Sequence, residues 1–227
     1  MITITALKWV PPFAQGQVRD HRVRWMLNEV GWPYKVRLID TEVQQSAAYR
    51  ADQPFGQVPV MEEEGRPTLF ETGAILLDVA MRTGKLLPGD EKERSLAVCW
   101  LFAALNSLEP ALANLAEVDF FIKDEAMKAK RRPDVLRNAQ MRLSQLSSAL
   151  GERPYFVGES FTVADLMVAS VLKIGGHTGI LDAFPNMLGF RDRCFVRPAY
   201  QKAIADQCAD IARHSPKDMK YELRQNA

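Results

Sequence analysis

The 227-residue sequence has almost no net charge: 29 basic against 28 acidic side chains leave +1. Without a basic excess it has no electrostatic footprint for a phosphate backbone, so nucleic acid is not an expected partner. Cysteine is scarce as well. Cys99, Cys194 and Cys208 lie far apart, with no CxxC and no Cys/His cluster, which argues against a dithiol redox motif and a zinc site. A sparse, odd count suits a reducing compartment. The start, Met1-Ile2-Thr3-Ile4-Thr5, lacks the charged n-region and long apolar run of a signal peptide. No apolar stretch reads as reaching the ~18 residues of a membrane helix, so a cytoplasmic location without a membrane partner is expected. What is present is an ordinary globular mixture, 47% hydrophobic and 25% charged, long enough for two modest domains.

Two kinds of periodicity divide the chain. Ile2, Ile4 and Ala6 alternate with polar or mixed residues and read as a strand that Pro11-Pro12 stops. Val23, Met26, Leu27 and Val30 then recur at helical spacing up to Gly31. Val36 and Leu38 suggest a second strand, and residues 41–49 a short helix. Val58-Pro59-Val60-Met61 and Thr68-Leu69-Phe70 read as a strand pair turning through Gly65, with a helix over residues 72–82. This βαβαββα order predicts an α/β domain over residues 1–83 whose first two strands can run parallel. Residues 84–91 (GKLLPGDE), with two glycines and a proline, read as a linker.

Beyond the linker the strand signal disappears. Leu101, Leu105, Leu108, Leu112 and Leu115 form a stripe at alternating 3- and 4-residue spacing, which predicts a long helix. Further helices are predicted at 133–150, with Pro133 in the first turn, and at 162–174, 186–196 and 198–213. Residues 92–227 thus read as an all-helical domain with a polar, loosely held tail from Ser215.

Phe55-Gly56-Gln57-Val58-Pro59-Val60 is followed by Leu69-Phe70-Glu71-Thr72-Gly73-Ala74-Ile75. Together they resemble the signature of the cytosolic glutathione transferase superfamily, an x-Val-Pro-x turn with Glu/Gln-Ser/Thr about a dozen residues on. Arg22-Val23-Arg24-Trp25, Glu29-Val30-Gly31-Trp32-Pro33-Tyr34, Phe161-Thr162-Val163-Ala164-Asp165, Phe184-Pro185-Asn186 and Arg197-Pro198-Ala199-Tyr200 carry the likeness over nearly the whole chain. The resemblance implies a bacterial-type member with a thioredoxin-like N-terminal domain, a helical C-terminal domain and a two-fold homodimer. It implies glutathione as co-substrate and no metal, with the ligand held by Gln57, Val58, Pro59, Glu71 and Thr72. A cis Val58–Pro59 bond would turn the Val58 N–H and C=O outward, to pair with the cysteinyl backbone of glutathione as an added strand does. Gln57 would reach the glycyl end. Thr72 and free amides at a helix start would take the γ-glutamyl carboxylate, and Glu71 the α-ammonium. The residues alone also allow a trans proline at a strand start, an exposed strand glutamine and a plain threonine N-cap. Thr162-Val163-Ala164-Asp165 reads as a capping box and stays outside the site.

In this family the glutathione thiolate is the nucleophile, and a Tyr, Ser or Cys before the first helix stabilises it. Here the stretch KWVPPFAQGQVRDHRVRW, from Lys8 to Trp25, holds no Tyr, Ser, Thr or Cys. Three sources of stabilisation stay open: the Gln17 amide, the Arg19 charge, or backbone N–H groups at the helix start alone. Gln17 also reads as a loop or capping residue, and Arg19 as a solvated charge. His21 reads as a surface residue, His177 as a loop residue and Cys99 as helix core. Trp9, Phe13 and Asn106 are candidates for an apolar acceptor pocket. The implied activity joins glutathione to a small hydrophobic electrophile or reduces that electrophile with it. Peroxidase and disulfide-reductase use of the same thiolate are variants. The alternative is a binding or regulatory protein of the same fold with little turnover.

Overall fold

The computed structural model describes residues 1–215; the expected tail beyond Ser215 lies outside the described residues. By compactness the chain forms two units, residues 1–79 with those from 198 onward, and residues 80–197.

In the first unit, β1 (Ile2–Leu7) pairs in parallel with β2 (Tyr34–Ile39). It pairs antiparallel with β3 (Val60–Glu63), which pairs antiparallel with β4 (Leu69–Phe70), giving the order β2-β1-β3-β4. Ile2, Ile4 and Ala6 are buried as their alternation predicts. Between β1 and β2 runs α1 (Asp20–Val30), ended by Gly31 at φ 76, where a side chain would meet its own carbonyl. The short helix expected at 41–49 is two, α2 (Thr41–Gln45) and α3 (Ala47–Asp52). Ser46 is extended between them, and its hydroxyl accepts from the Tyr49 N–H to cap the second. After β4 comes α4 (Thr72–Thr83).

The second unit is all helix. α5 (Glu91–Ala103) and α6 (Glu109–Phe120) are continuous through one π turn at Ala104–Leu108, so the leucine stripe lies on an interrupted rod. By length and composition this rod is apolar enough to cross a membrane, with a mean hydropathy of 1.5 over 18 residues, which corrects the reading that no apolar stretch reaches that length. Its Ala97, Leu101, Leu112, Leu115 and Val118 are buried as in a core helix, whereas Cys99, expected in the core, is exposed. α7 (Glu125–Leu150) starts well before Pro133, which sits inside it. The start is set by Asp124, whose carboxylate accepts from the N–H groups of Ala126 and Met127. α8 (Val163–Leu172) is buried throughout and opens on the expected capping box. Asp165 there accepts from the Thr162 N–H at 2.8 Å and its hydroxyl at 2.7 Å, and from the Phe156 N–H at 2.8 Å. His177, expected in a loop, lies on a short 3-10 helix (Lys173–Thr178), its Nδ1–H donating to the Ile174 carbonyl and its Nε2 lying 3.0 Å from Asp119. α9 (Pro185–Phe195) closes the unit.

The last helix, α10 (Pro198–Arg213), packs on α1 in the first unit. Buried Arg24 donates through Nε to Asp20 at 2.7 Å and through Nη2 to Asp210 at 2.8 Å. Nε2 of buried Gln207 donates to the Val18 carbonyl at 2.9 Å and to Asp20 Oδ1 at 2.6 Å. Trp25 meets Tyr200 edge-on at 4.8 Å. Charges removed from water are thereby partnered, without which each would cost several kcal/mol. Burial pushes the Asp20 carboxyl up to about 6, against the pull of Arg24 and Gln207. Burial also disfavours the Arg24 cation, but Asp20 and Asp210 outweigh it and hold the guanidinium above its ordinary value.

Candidate functional site

Strand register brings the two halves of the motif together. Val60 faces Phe70 and Met61 faces Leu69, so Pro59, just before β3, and Glu71, just after β4, leave adjacent strands side by side. Such strands are ~4.8 Å apart, a spacing one extended peptide spans. The Val58–Pro59 bond is cis. Among the described residues the Val58 backbone N–H and C=O make no hydrogen bond. The Val58 side chain packs against Ile39, Tyr49 and Val60, Pro59 is buried, and Gln57 is exposed.

Two residues that the sequence did not flag hold this turn. The Val60 N–H donates to Thr5 Oγ1 at 2.8 Å, Thr5 and Tyr49 hydroxyls meet at 3.0 Å, and Tyr49 donates to the Gln57 carbonyl at 2.7 Å. Satisfying each group in turn sets the direction: Thr5 donates to Tyr49. The chain bolts both ends of the turn to β1 and α3. Burial pushes the Tyr49 hydroxyl pKa up, so it stays a donor. No local pattern announces a strand threonine bonded to a helical tyrosine 44 residues away. Ahead of the turn, Gly56 at φ 63 has no room for a Cβ, which would lie 2.9 Å from the Gln44 carbonyl oxygen. Gln44 Nε2 donates to the Gly56 carbonyl at 3.1 Å, and buried Gln53 accepts from the Phe55 N–H at 2.7 Å.

Glu71 has φ 69, a left-handed conformation that costs a non-glycine residue roughly 1–3 kcal/mol. Its carbonyl accepts from the Ile75 N–H at 3.0 Å, making it the N-cap of α4, while its side chain is exposed. Thr72 and Gly73 behind it are buried. Strain of this kind persists where the surrounding structure over-determines a position.

Because β1 and β3 are antiparallel, the loop leaving β1 starts at the end where Val58-Pro59 enters β3. This loop carries Trp9, half-buried, and Phe13, exposed on a 3-10 turn (Pro12–Ala14), then half-buried Gln17 and exposed Arg19. The Gln17 N–H donates to Ala14, and the first helical amides are partly engaged: His21 donates to the Val18 carbonyl and Arg22 to that of Arg19, both at 3.1 Å. His21 is buried, correcting its reading as a surface residue; its Nδ1–H donates to the Val18 carbonyl at 2.9 Å. Asn106, the remaining acceptor candidate, is exposed on the π turn of the helical unit. Among the described residues no group of three or more His, Cys, Asp or Glu side chains is placed to hold a metal ion.

Comparison with known proteins agrees with this architecture. Residues 20–80 match the family described as glutathione S-transferase, N-terminal domain, and residues 103–198 match glutathione S-transferase, C-terminal domain. The chain is 28% identical over 195 residues to glutathione S-transferase F14 of Arabidopsis thaliana, covering 78% of this chain and 76% of that one. It is 26% identical over 195 residues to the disulfide-bond oxidoreductase YfcG of Escherichia coli, covering 81% and 89%. Its fold matches a glutathione transferase from Burkholderia graminis, solved with two glutathione molecules per subunit, with a TM-score of 0.78 at 23% identity, covering 96% of this chain and 89% of that one. Both family domains are present, in order, on a thioredoxin-like sheet and a helical bundle, and the chain belongs to the glutathione transferase superfamily.

Proposed function

We propose that the protein binds glutathione between Val58 and Glu71-Thr72 and uses its thiolate on a small hydrophobic electrophile. The observation that carries this is the pairing of an unengaged Val58 backbone with a strained, outward Glu71 on the adjacent strand end. Val58 offers a strand-like N–H and C=O to the cysteinyl unit. Thr72 and the α4 amides suit the γ-glutamyl carboxylate, Glu71 the ammonium, and Gln57 the glycyl end. Residues 1–83 would supply this half of the chemistry, with Trp9 and Phe13 of the same unit facing the electrophile. The Burkholderia protein of like fold, solved with glutathione bound, supports the choice of ligand.

Activation of the sulfur is assigned to Gln17 and Arg19. The bonds that His21 and Arg22 make to loop carbonyls, and the acidic Asp20 at the helix start, weaken the case for backbone amides alone. A second reading, glutathione-dependent disulfide reduction, draws on the Escherichia coli relative named as a disulfide-bond oxidoreductase. A cytoplasmic homodimer completes the proposal. Its support is the set of exposed apolar side chains Met81 on α4, Leu96 and Phe102 on α5, and Met141 on α7.

The test follows thiolate absorbance of bound glutathione against pH, for wild type and for Gln17→Ala, Arg19→Ala and Glu71→Ala. Glu71→Ala should abolish binding, and the two loop variants should raise the thiol pKa. A bound thiol that titrates as it does in free solution would leave a binding protein and remove the enzyme.

A further inference from the structure

The helical unit contains a cavity of about 120 Å³ between the α5–α6 rod and α7, lined by residues that play no part in the site above. Its floor is apolar, formed by Trp100, Ala104, Leu108 and Leu146, and its rim carries Ser107 and Arg142. The cavity has a local cause. Ala104, Ser107 and Leu108 belong to the π turn, whose extra residue widens the rod, and alanine at 104 leaves the space unfilled. The Trp100 wall is fixed in advance, because its ring lies 4.8 Å from that of Phe156, which in turn meets Phe190 edge-on at 5.2 Å.

At the mouth, Arg142 Nη1 donates to Gln145 Oε1 at 3.1 Å, and among the described residues no carboxylate pairs with this guanidinium. An apolar chamber with an uncompensated fork of donors at its entrance selects an amphipathic anion. Apolar cavities of ~150 Å³ accept benzene, so this one, at about 120 Å³ and open at its mouth, takes no more than a single ring. A planar carboxylate matches a guanidinium through two parallel hydrogen bonds. We propose that this cavity binds a small aromatic carboxylate, its ring stacked on Trp100 and its carboxylate on Arg142.

Benzoate is the probe, titrated by calorimetry and by tryptophan emission into wild type, Arg142→Gln and Ala104→Leu. Wild type should bind saturably, Arg142→Gln at least about tenfold more weakly, and Ala104→Leu not detectably. Benzyl alcohol, which keeps the ring and lacks the charge, should bind wild type at least about tenfold more weakly than benzoate. Arg142 is half-exposed, so its variant should fold; if Ala104→Leu does not, Arg142→Gln decides alone. Absence of saturable benzoate binding, or equal affinity in wild type and Arg142→Gln, overturns the proposal. So does loss of binding at concentrations where sedimentation detects a second copy, which would assign the cavity to the subunit contact. Glutathione binding is measured in parallel on the same variants and should be unchanged, which separates this site from the one above.

Discussion

The side-chain nitrogen of Gln207 lies 2.6 Å from Asp20 Oδ1 and 2.9 Å from the Val18 carbonyl, so a residue of the last helix holds the entry to the first. Gln17 and Arg19 stand on either side of Val18. Gln207→Leu keeps the volume and strands buried Asp20 Oδ1, while the Val18 carbonyl keeps its bonds from His21, an effect of ~1–3 kcal/mol. Urea unfolding should show that loss, and glutathione bound to the variant should show a higher thiol pKa. A stability loss without any change in thiol titration would separate this anchor from the chemistry.

Asp20 gives the fold a pH dependence. Its native pKa of about 6 lies above the ordinary carboxyl value of 3.8, so between these pH values the folded carboxyl keeps a proton that the unfolded chain has released. Stability from this group is complete below about pH 4 and declines as pH rises to about 6, by about 3 kcal/mol. Unfolding free energies of wild type relative to Asp20→Asn should therefore fall across that window and level off above it. A flat difference between pH 4 and 7 would contradict the assignment.

Tyr49→Phe removes one hydroxyl from the chain Val60–Thr5–Tyr49–Gln57 and frees the Gln57 carbonyl. The fold should lose ~1 kcal/mol. Glutathione should dissociate several-fold more readily, because the turn that presents Val58 is no longer pinned at its start. Calorimetric titration reads the second effect and thermal melting the first.

Gly56→Ala should be worse tolerated than its size suggests. The added methyl would sit 2.9 Å from the Gln44 carbonyl oxygen at a φ of 63, so both the backbone and the α2 contact must give. The expected loss is ~1–3 kcal/mol. Gly65→Ala is the control: it shares a positive φ, 76, but its Cβ meets nothing within 4 Å. Equal losses in the two would assign the whole effect to backbone strain.

Glu71→Gly should separate stability from binding. Glycine accepts φ 69 without the left-handed penalty, so melting temperature should hold or rise while glutathione binding is lost. Unchanged binding would show that the carboxylate is not a ligand contact.

What the sequence disclosed was whatever repeats locally. The alternation of Ile2, Ile4 and Ala6, the helical spacing from Val23 to Val30 and the Thr162–Asp165 cap all need only a few residues to be seen, and all are present. Pro133 misled because a proline suits a first turn, whereas α7 carries it internally and starts at the Asp124 cap. The π turn was hidden because Leu101 to Leu115 keep their 3- and 4-residue spacing on either side of it. Thr5, Tyr49 and His21 were invisible for another reason: their partners or their burial depend on segments that only the fold brings near.

The ion pair between Arg24 and Asp210 spans 186 residues and bears on the order of events during synthesis. Translation delivers α1 long before α10. Until α10 emerges, Arg24 lacks one of its carboxylates, Asp20 lacks the Gln207 amide, and the α1 face that meets Tyr200 stays wet. A ribosome halted anywhere before Pro198 therefore holds a sheet without the helix that closes it. The loop carrying Gln17 and Arg19 gains its Gln207 anchor only once α10 has been made.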